Sequence, residues 1–202
     1  MTKNEYMTYI GENVIWGENI KIGYYSYIGR EGSNNSPLTI GKNVTIGSFC
    51  LLETGSVIGN NTEIDDYCAI YSGAQVGNSV KLLYGKKIYS KAEIGERCII
   101  GGDVPERMVL DDSVTFMGEV AHSHYNPKLD WDITDEPSPR IGKGSIIGVN
   151  ALLIGGIEIG KNCYISAGEI LRHNLSDDHV YYKGKVYHIN EFKGLIRTRY
   201  QL

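Results

Sequence analysis

Residues 40–101 read IGKNVTIGSFCLLETGSVIGNNTEIDDYCAIYSGAQVGNSVKLLYGKKIYSKAEIGERCIIG, with an aliphatic side chain at every sixth position. Ile40, Ile46, Leu52, Ile58, Ile64, Ile70, Val76, Leu82, Ile88, Ile94 and Ile100 form the series. It reaches back through Ile28, Ile22 and Ile10, with Trp16 taking one step and Asn34 breaking one. A period of six fits neither a helix nor a simple two-residue strand alternation. Glycine follows many of these aliphatics, which argues further against helix. Three hexads make one triangular coil of three short strands, and each coil stacks on the last. The expected fold is therefore an all-β solenoid whose core is a column of aliphatic side chains, each worth about 1.5–3 kcal/mol on burial.

The series resumes twice in a new phase, first as Leu110 and Phe116, then as Ile141, Ile147, Leu153, Ile159, Ile165 and Leu171. A change of phase predicts that the intervening residues leave the wall, giving two excursions, residues 102–109 and 118–140. The reading is one domain over residues 1–202. It comprises a first coil block at 10–100, final coils at 141–171 and end caps at either terminus. Residues 1–9 are expected to cover one end. Ile189, Phe192, Leu195 and Ile196 recur at helical spacing behind Asn190, which predicts a short C-terminal helix within 186–202.

The bulk numbers exclude some classes. A formal charge of −4 gives no electrostatic case for nucleic acid. No apolar run is long enough to cross a bilayer, so no membrane partner is expected. The polar first residues lack a signal-peptide core, and the chain reads as cytoplasmic. Cys50, Cys68, Cys98 and Cys163 each stand two positions before a repeat aliphatic, in a slot otherwise holding Val, Ser, Thr or Ala. They are expected to be free thiols packed inward as small apolar groups, with no zinc-ligand spacing. Of the fifteen tyrosines, pairs such as Tyr24-Tyr25 and Tyr181-Tyr182 are candidates to line a subunit interface or a sugar pocket, while each taken singly reads as a wall or corner residue.

Residues 139–184, PRIGKGSIIGVNALLIGGIEIGKNCYISAGEILRHNLSDDHVYYKG, resemble the closing coils of hexapeptide-repeat acyltransferases. Residues 114–127, VTFMGEVAHSHYNP, are similar to the loop that precedes those coils, both in nucleotide-sugar N-acyltransferases and in sugar or antibiotic O-acetyltransferases. The resemblance implies a left-handed parallel β-helix, against the usual right-handed crossover. It also implies a homotrimer, with acetyl-CoA as co-substrate in a groove between subunits. The acceptor would be the amino or hydroxyl group of a sugar, nucleotide-linked, in surface-polysaccharide synthesis. One departure stands out: Gly184-Lys185-Val186-Tyr187 replaces the Gly-Asn-Pro-Ala turn common in the family.

Acyl transfer from a thioester needs a base for the acceptor proton, a donor for the tetrahedral oxyanion and a means of holding both substrates in line. Histidine is the natural base at neutral pH. His122 and His124 lie in the second excursion; either is a candidate, with His122 favoured as the first histidine of the loop. Glu119, Asp130 and Asp132 in the same loop are candidates for orienting the base or binding the acceptor, and Trp131 for stacking on a ring. The resemblance places coenzyme A against Gly148, Gly155, Gly156, Ser166, Ala167 and Gly168, with Arg172, Lys183 and Lys185 toward its phosphates. Two other readings are a non-catalytic scaffold and a metal enzyme like the gamma-type carbonic anhydrases. The latter needs a third histidine on the wall between Ile141 and Leu171, where there is none, so no metal is expected.

Overall fold

Aliphatics six residues apart can all point inward only if the chain turns after each hexad. A computed structural model describes residues 2–3, 7–123 and 136–193, and it shows this winding. Strands of two to four residues follow one another around three walls. The first wall runs from Tyr9–Ile10 through Leu51–Glu53 to Lys87–Ile88, and continues as Glu119–Ala121, Leu152–Ile154 and Ile170–Leu171. The second runs from Val14–Trp16 to Glu158–Ile159, and the third from Lys21–Ile22 to His179–Tyr182. Pairing along each wall is parallel, with Ile64 opposite Leu82 and Ile70 opposite Ile88, one coil of eighteen residues apart. The described residues form an all-β parallel β-helix with no α-helix.

The interior is a column of side chains removed from water. Ile28, Leu52, Ile70, Ile88, Ile100, Ile147, Leu153, Ile165 and Leu171 are fully buried. The small slot before each aliphatic is buried too, and all four cysteines fill it as free thiols. Each thiol points at a carbonyl of the next coil, as Cys50 Sγ does to Asp65 O at 3.1 Å and Cys163 Sγ to Ser176 O at 3.0 Å. Burial disfavours the thiolate. It pushes Cys50 up to about 12, Cys68 and Cys98 up to about 11, and raises Cys163.

Residues 102–109, expected to loop out, stay on the wall. Val104 and Met108 are fully buried, and Val104 bridges to Ile88 on the first wall. The hexad between Ile100 and Val104 is shortened to four residues, and that shortening changes the phase. The corner is tight: a Cβ on Gly102 would run into the carbonyl of Gly118. The same contraction follows Leu171, where Leu175 bridges to Ile159 and Tyr181 pairs with Ile165, so the repeat continues beyond residue 171.

The true first excursion is residues 31–37. Ile28 pairs with Leu52 and Trp16 with Ile40, twenty-four residues apart rather than eighteen. One whole hexad, including Asn34, therefore lies off the wall. Ser72 and Thr54 fasten it, with Gly32 N–H donating to Thr54 Oγ1 at 3.0 Å and Asn34 N–H to Ser72 Oγ at 3.0 Å. Glu53, nearly buried beneath, accepts from Arg30 and from the Ser72 N–H.

At the first end, Thr2–Lys3 pairs antiparallel with Tyr9–Ile10. At the other, the start of the span expected to hold a helix is a strand, and no helix is seen among the described residues. Lys185–His188 folds back antiparallel on His179–Tyr182 through Lys183 and Gly184, which have φ of 50° and 68°. Two successive left-handed residues make the turn whose twist suits a two-residue hairpin. Ile189 continues by donating to Asp178 O, and residues 194–202 lie outside the described residues.

Candidate functional site

The second excursion opens where the first wall hands over to the second. The wall strand Glu119–Ala121 delivers His122 and Ser123 to the edge, and residues 136–139 return to the strand Arg140–Ile141. His124, Asp130, Trp131 and Asp132 lie outside the described residues.

The two limbs of the loop are joined by Glu136, a residue the sequence reading did not select. One of its carboxylate oxygens lies 2.9 Å from His122 Nδ1. The other accepts from the Ser123 N–H at 2.7 Å and from the Ser123 hydroxyl. The Glu136 side chain is 9% exposed and the His122 side chain 53%. Burial opposes ionisation of Glu136, but the Ser123 and His122 hydrogen bonds outweigh it, and the carboxyl sits below its ordinary range. An ionised carboxylate at Nδ1 favours the tautomer that carries its proton there, which makes Nε2 the acceptor nitrogen of the ring. Sequence spacing does not single out Glu136, because its partner lies fourteen residues away across a loop. The only available sign was an acid just before the Pro-rich return limb.

Gly155 and Gly156 lie directly beneath this pair. A Cβ on Gly155 would come 3.2 Å from Ser123 Cβ and 3.3 Å from a Glu136 oxygen. One on Gly156 would collide with Pro137. Both glycines therefore seat the returning limb of the loop. Gly155 also donates its N–H to Ala121 O at 2.8 Å.

The remaining expected cofactor residues, Arg172 excepted, lie on the opposite edge of the same wall, between the third wall and the first. Gly148 is buried there, with no room for a side chain beside the Ala167 backbone. Ala167 and Gly168 are exposed one coil further on, and a Cβ on Gly168 would meet nothing within 4 Å. The Ser166 and Gly168 N–H groups are engaged by Tyr181 O and Val149 O, each at 3.0 Å. Lys183 and Lys185 project from the hairpin beside this edge, and Arg172 follows the last strand of the first wall; all three are exposed and make no ion pair among the described residues. Glu169 holds the hairpin turn by accepting from the N–H groups of Lys183 at 2.5 Å and Gly184 at 3.1 Å. Between the two edges stand Leu152, Ile154 and Ile170, outward-facing and partly or well exposed. Glu119 is exposed at the start of its strand, three residues before His122. The site is thus an imidazole–carboxylate pair and a small-residue, cation-flanked edge, separated by an apolar strip. No cluster of three or more metal-ligating side chains occurs among the described residues, and no helix there is long and apolar enough to cross a membrane.

The family pattern described as "Hexapeptide repeat of succinyl-transferase" matches residues 37–65 and 140–172. Comparison with curated protein sequences finds no match. Among solved structures, the chain is similar to the acetyltransferase domain of PglB from Neisseria gonorrhoeae, at 14% identity and a TM-score of 0.41, over 75% of this chain and 57% of that one. It thus spans just over half the length of that relative. It is also similar to a variant of AntD, an N-acyltransferase from Bacillus cereus in complex with dTDP and coenzyme A, at 16% identity and a TM-score of 0.41, over 92% of this chain and 87% of that one. A third is LpxA, a UDP-N-acetylglucosamine acyltransferase from Bacteroides fragilis, at 17% identity and a TM-score of 0.45, over 96% of this chain and 80% of that one.

Proposed function

We propose that this chain, a hexapeptide-repeat protein, transfers an acyl group, acetyl in the first instance, from coenzyme A to an amino or hydroxyl group of a nucleotide-linked sugar. The observation that carries the reading is the His122–Glu136 pair: a solvent-facing imidazole held by a nearly buried carboxylate. That is the arrangement a proton-accepting base requires, because the acid fixes the ring and stabilises the imidazolium that forms. His122 Nε2 takes the acceptor's proton as the acceptor attacks the thioester carbonyl. A backbone N–H holds the oxyanion, and the tetrahedral species collapses with release of the coenzyme A thiolate, to which the imidazolium returns the proton. No covalent acyl-enzyme is needed.

The thioester arm fits the opposite edge. Ala167 and Gly168 leave the main chain open there, and Lys183 and Lys185 offer positive charge for phosphates beside them, with Arg172 doing so from the far end of the strand Ile170–Leu171. Gly148, Gly155 and Gly156 shape the surface from beneath rather than touching the ligand. His124, Glu119, Asp130, Trp131 and Asp132 are assigned to acceptor binding around the loop. Copies of the chain assemble as a homotrimer in the cytoplasm, and the product feeds surface-polysaccharide synthesis.

The test is a panel of nucleotide-linked amino and hydroxy sugars incubated with acetyl-CoA, with free-thiol release as readout. Acceptor-dependent release that disappears in His122→Ala supports the reading. No acetyl-CoA binding at millimolar ligand would leave a non-catalytic scaffold instead.

A further inference from the structure

One backbone position recurs along each edge of the prism in the left-handed conformation. At the edge between the second and third walls it holds Asn19, Asn43, Asn61, Ser79, Arg97, Ser113, Asn162 and Asp178, all with φ between 54° and 60°. Asparagine suits this conformation, and there the amides also ladder from coil to coil, Asn19 to Asn43 at 3.1 Å and Asn43 to Asn61 at 3.0 Å. At the edge between the third and first walls, the same position holds Tyr25, Phe49 and Tyr67, with φ of 57°, 58° and 61°. Bulky side chains with positive φ are uncommon and strained. The fold does not require them, since the neighbouring edge achieves the same turn with asparagine.

Nor are these rings hidden. Tyr25 is 53% exposed, Phe49 47%, Tyr67 50% and the adjoining Tyr84 61%. Tyr25 and Phe49 stack at 5.2 Å and 16°, Phe49 and Tyr67 at 4.8 Å and 9°, and Tyr84 leans on Tyr67 at 5.4 Å. The ring faces therefore cover one another, and what solvent meets is a ridge of ring edges. A sugar or nucleobase that binds by stacking needs an open face, so such a ligand is not what this ridge offers. Four half-exposed aromatics present roughly 400 Å² of apolar surface, within the range of the largest patch on a typical monomer, where such patches are often functional. Met7, in the same position one coil above Tyr25, and Leu83 beside Tyr84 extend it.

We propose that this aromatic ridge is the contact surface for a second copy of this chain. The argument is periodicity. The ridge has the rise of the coil, about 4.8 Å, and runs parallel to the solenoid axis. A surface ribbed at one period interlocks along its length only with a surface ribbed at the same period, and another copy of this prism has it. The ridge supplies about half of the roughly 800 Å² per partner of a standard interface, in keeping with an apolar centre inside a polar rim. Asp65, Asp66 and Lys86 stand beside it as that rim. This inference rests on the assembly of copies proposed above, but not on acyl transfer.

The experiment compares the native mass of the full chain with that of Tyr25→Asn/Phe49→Asn/Tyr67→Asn, by light scattering after size exclusion. The asparagines relieve backbone strain, so the variant is expected to keep the β-sheet circular dichroism of the parent while falling to monomer mass. A monomeric parent overturns both assembly and surface. An oligomeric parent with an equally oligomeric variant overturns the surface alone. Should the triple variant not fold, single thiols decide: Phe49→Cys is expected to react with a maleimide at least about tenfold more slowly than Asn61→Cys, because labelling waits for dissociation. Equal rates overturn the proposal.

Discussion

Two segments leave the prism at the same edge, five coils or about 24 Å apart, and they close in different ways. Residues 31–37 are fastened down onto the wall. Gly32 and Asn34 are held by Thr54 and Ser72, and the buried carboxylate beneath belongs to Arg30, a permanent cation. In the excursion that follows Ala121, the corresponding buried carboxylate, Glu136, holds an imidazole. An arginine–carboxylate pair can position a loop but cannot exchange a proton near neutrality, whereas a histidine–carboxylate pair can. Position at the rim of a solenoid therefore does not by itself suit a loop to acid–base chemistry; a titratable partner for the acid does.

The contrast is testable in order of expected effect. His122→Ala is expected to lower kcat by roughly 10²–10⁴-fold, the usual worth of a general base, with an unchanged unfolding midpoint. Full activity in that variant would equate the two loops. Glu136→Gln removes a hydrogen bond to a charged group, worth about 1.5–3 kcal/mol, and is expected to slow turnover by roughly 10–100-fold. If the acid acts on the base rather than on substrate, as proposed, the acidic limb of the kcat–pH profile shifts as well. At the other loop the outcome reverses. Glu53→Ala strands the Ser72 N–H and is expected to cost about 1–3 kcal/mol in denaturant unfolding, with turnover per folded molecule intact.

The smallest effect concerns pH. The Glu136 carboxyl is lowered in the folded protein, so its contribution to holding the loop is complete above the ordinary carboxylate range and is lost as pH falls through its folded value. Hydrogen exchange of the Ser123 amide is expected to accelerate, relative to the intrinsic rate, only below that range. The fastened loop gives a control in the Asn34 amide, which donates to a hydroxyl and should show less change.

Much of the wall was legible in the sequence. Isoleucine at every sixth position leaves few alternatives to a three-walled coil, and the cysteine slot followed from the same register. The position of His122 followed from the loop that precedes the final coils. Glu136 did not, because its link to His122 and Ser123 spans fourteen and thirteen residues. Small residues permit close approach, which is what makes Gly155 and Gly156 look like cofactor contacts in the sequence. What approaches them is Pro137 and Glu136 of the same chain.

A repeat read along a chain reports length only modulo its period. The inserted hexad at 31–37 leaves the phase intact and so is silent. The contraction at residues 100–104 shifts the phase as an insertion of four would. Sequence alone thus determined the period and the residue types that face inward. Folding decided which residues lie on the wall, because strand pairing with the next coil, and not spacing along the chain, selects the residue that fills each place in the column. The C-terminal turn is a similar case. In place of a helix starting within 186–202, Lys183 and Gly184 adopt the left-handed pair that sends Lys185–His188 back along the sheet, where its strand completes the third wall, and Leu195 and Ile196 lie outside the described residues.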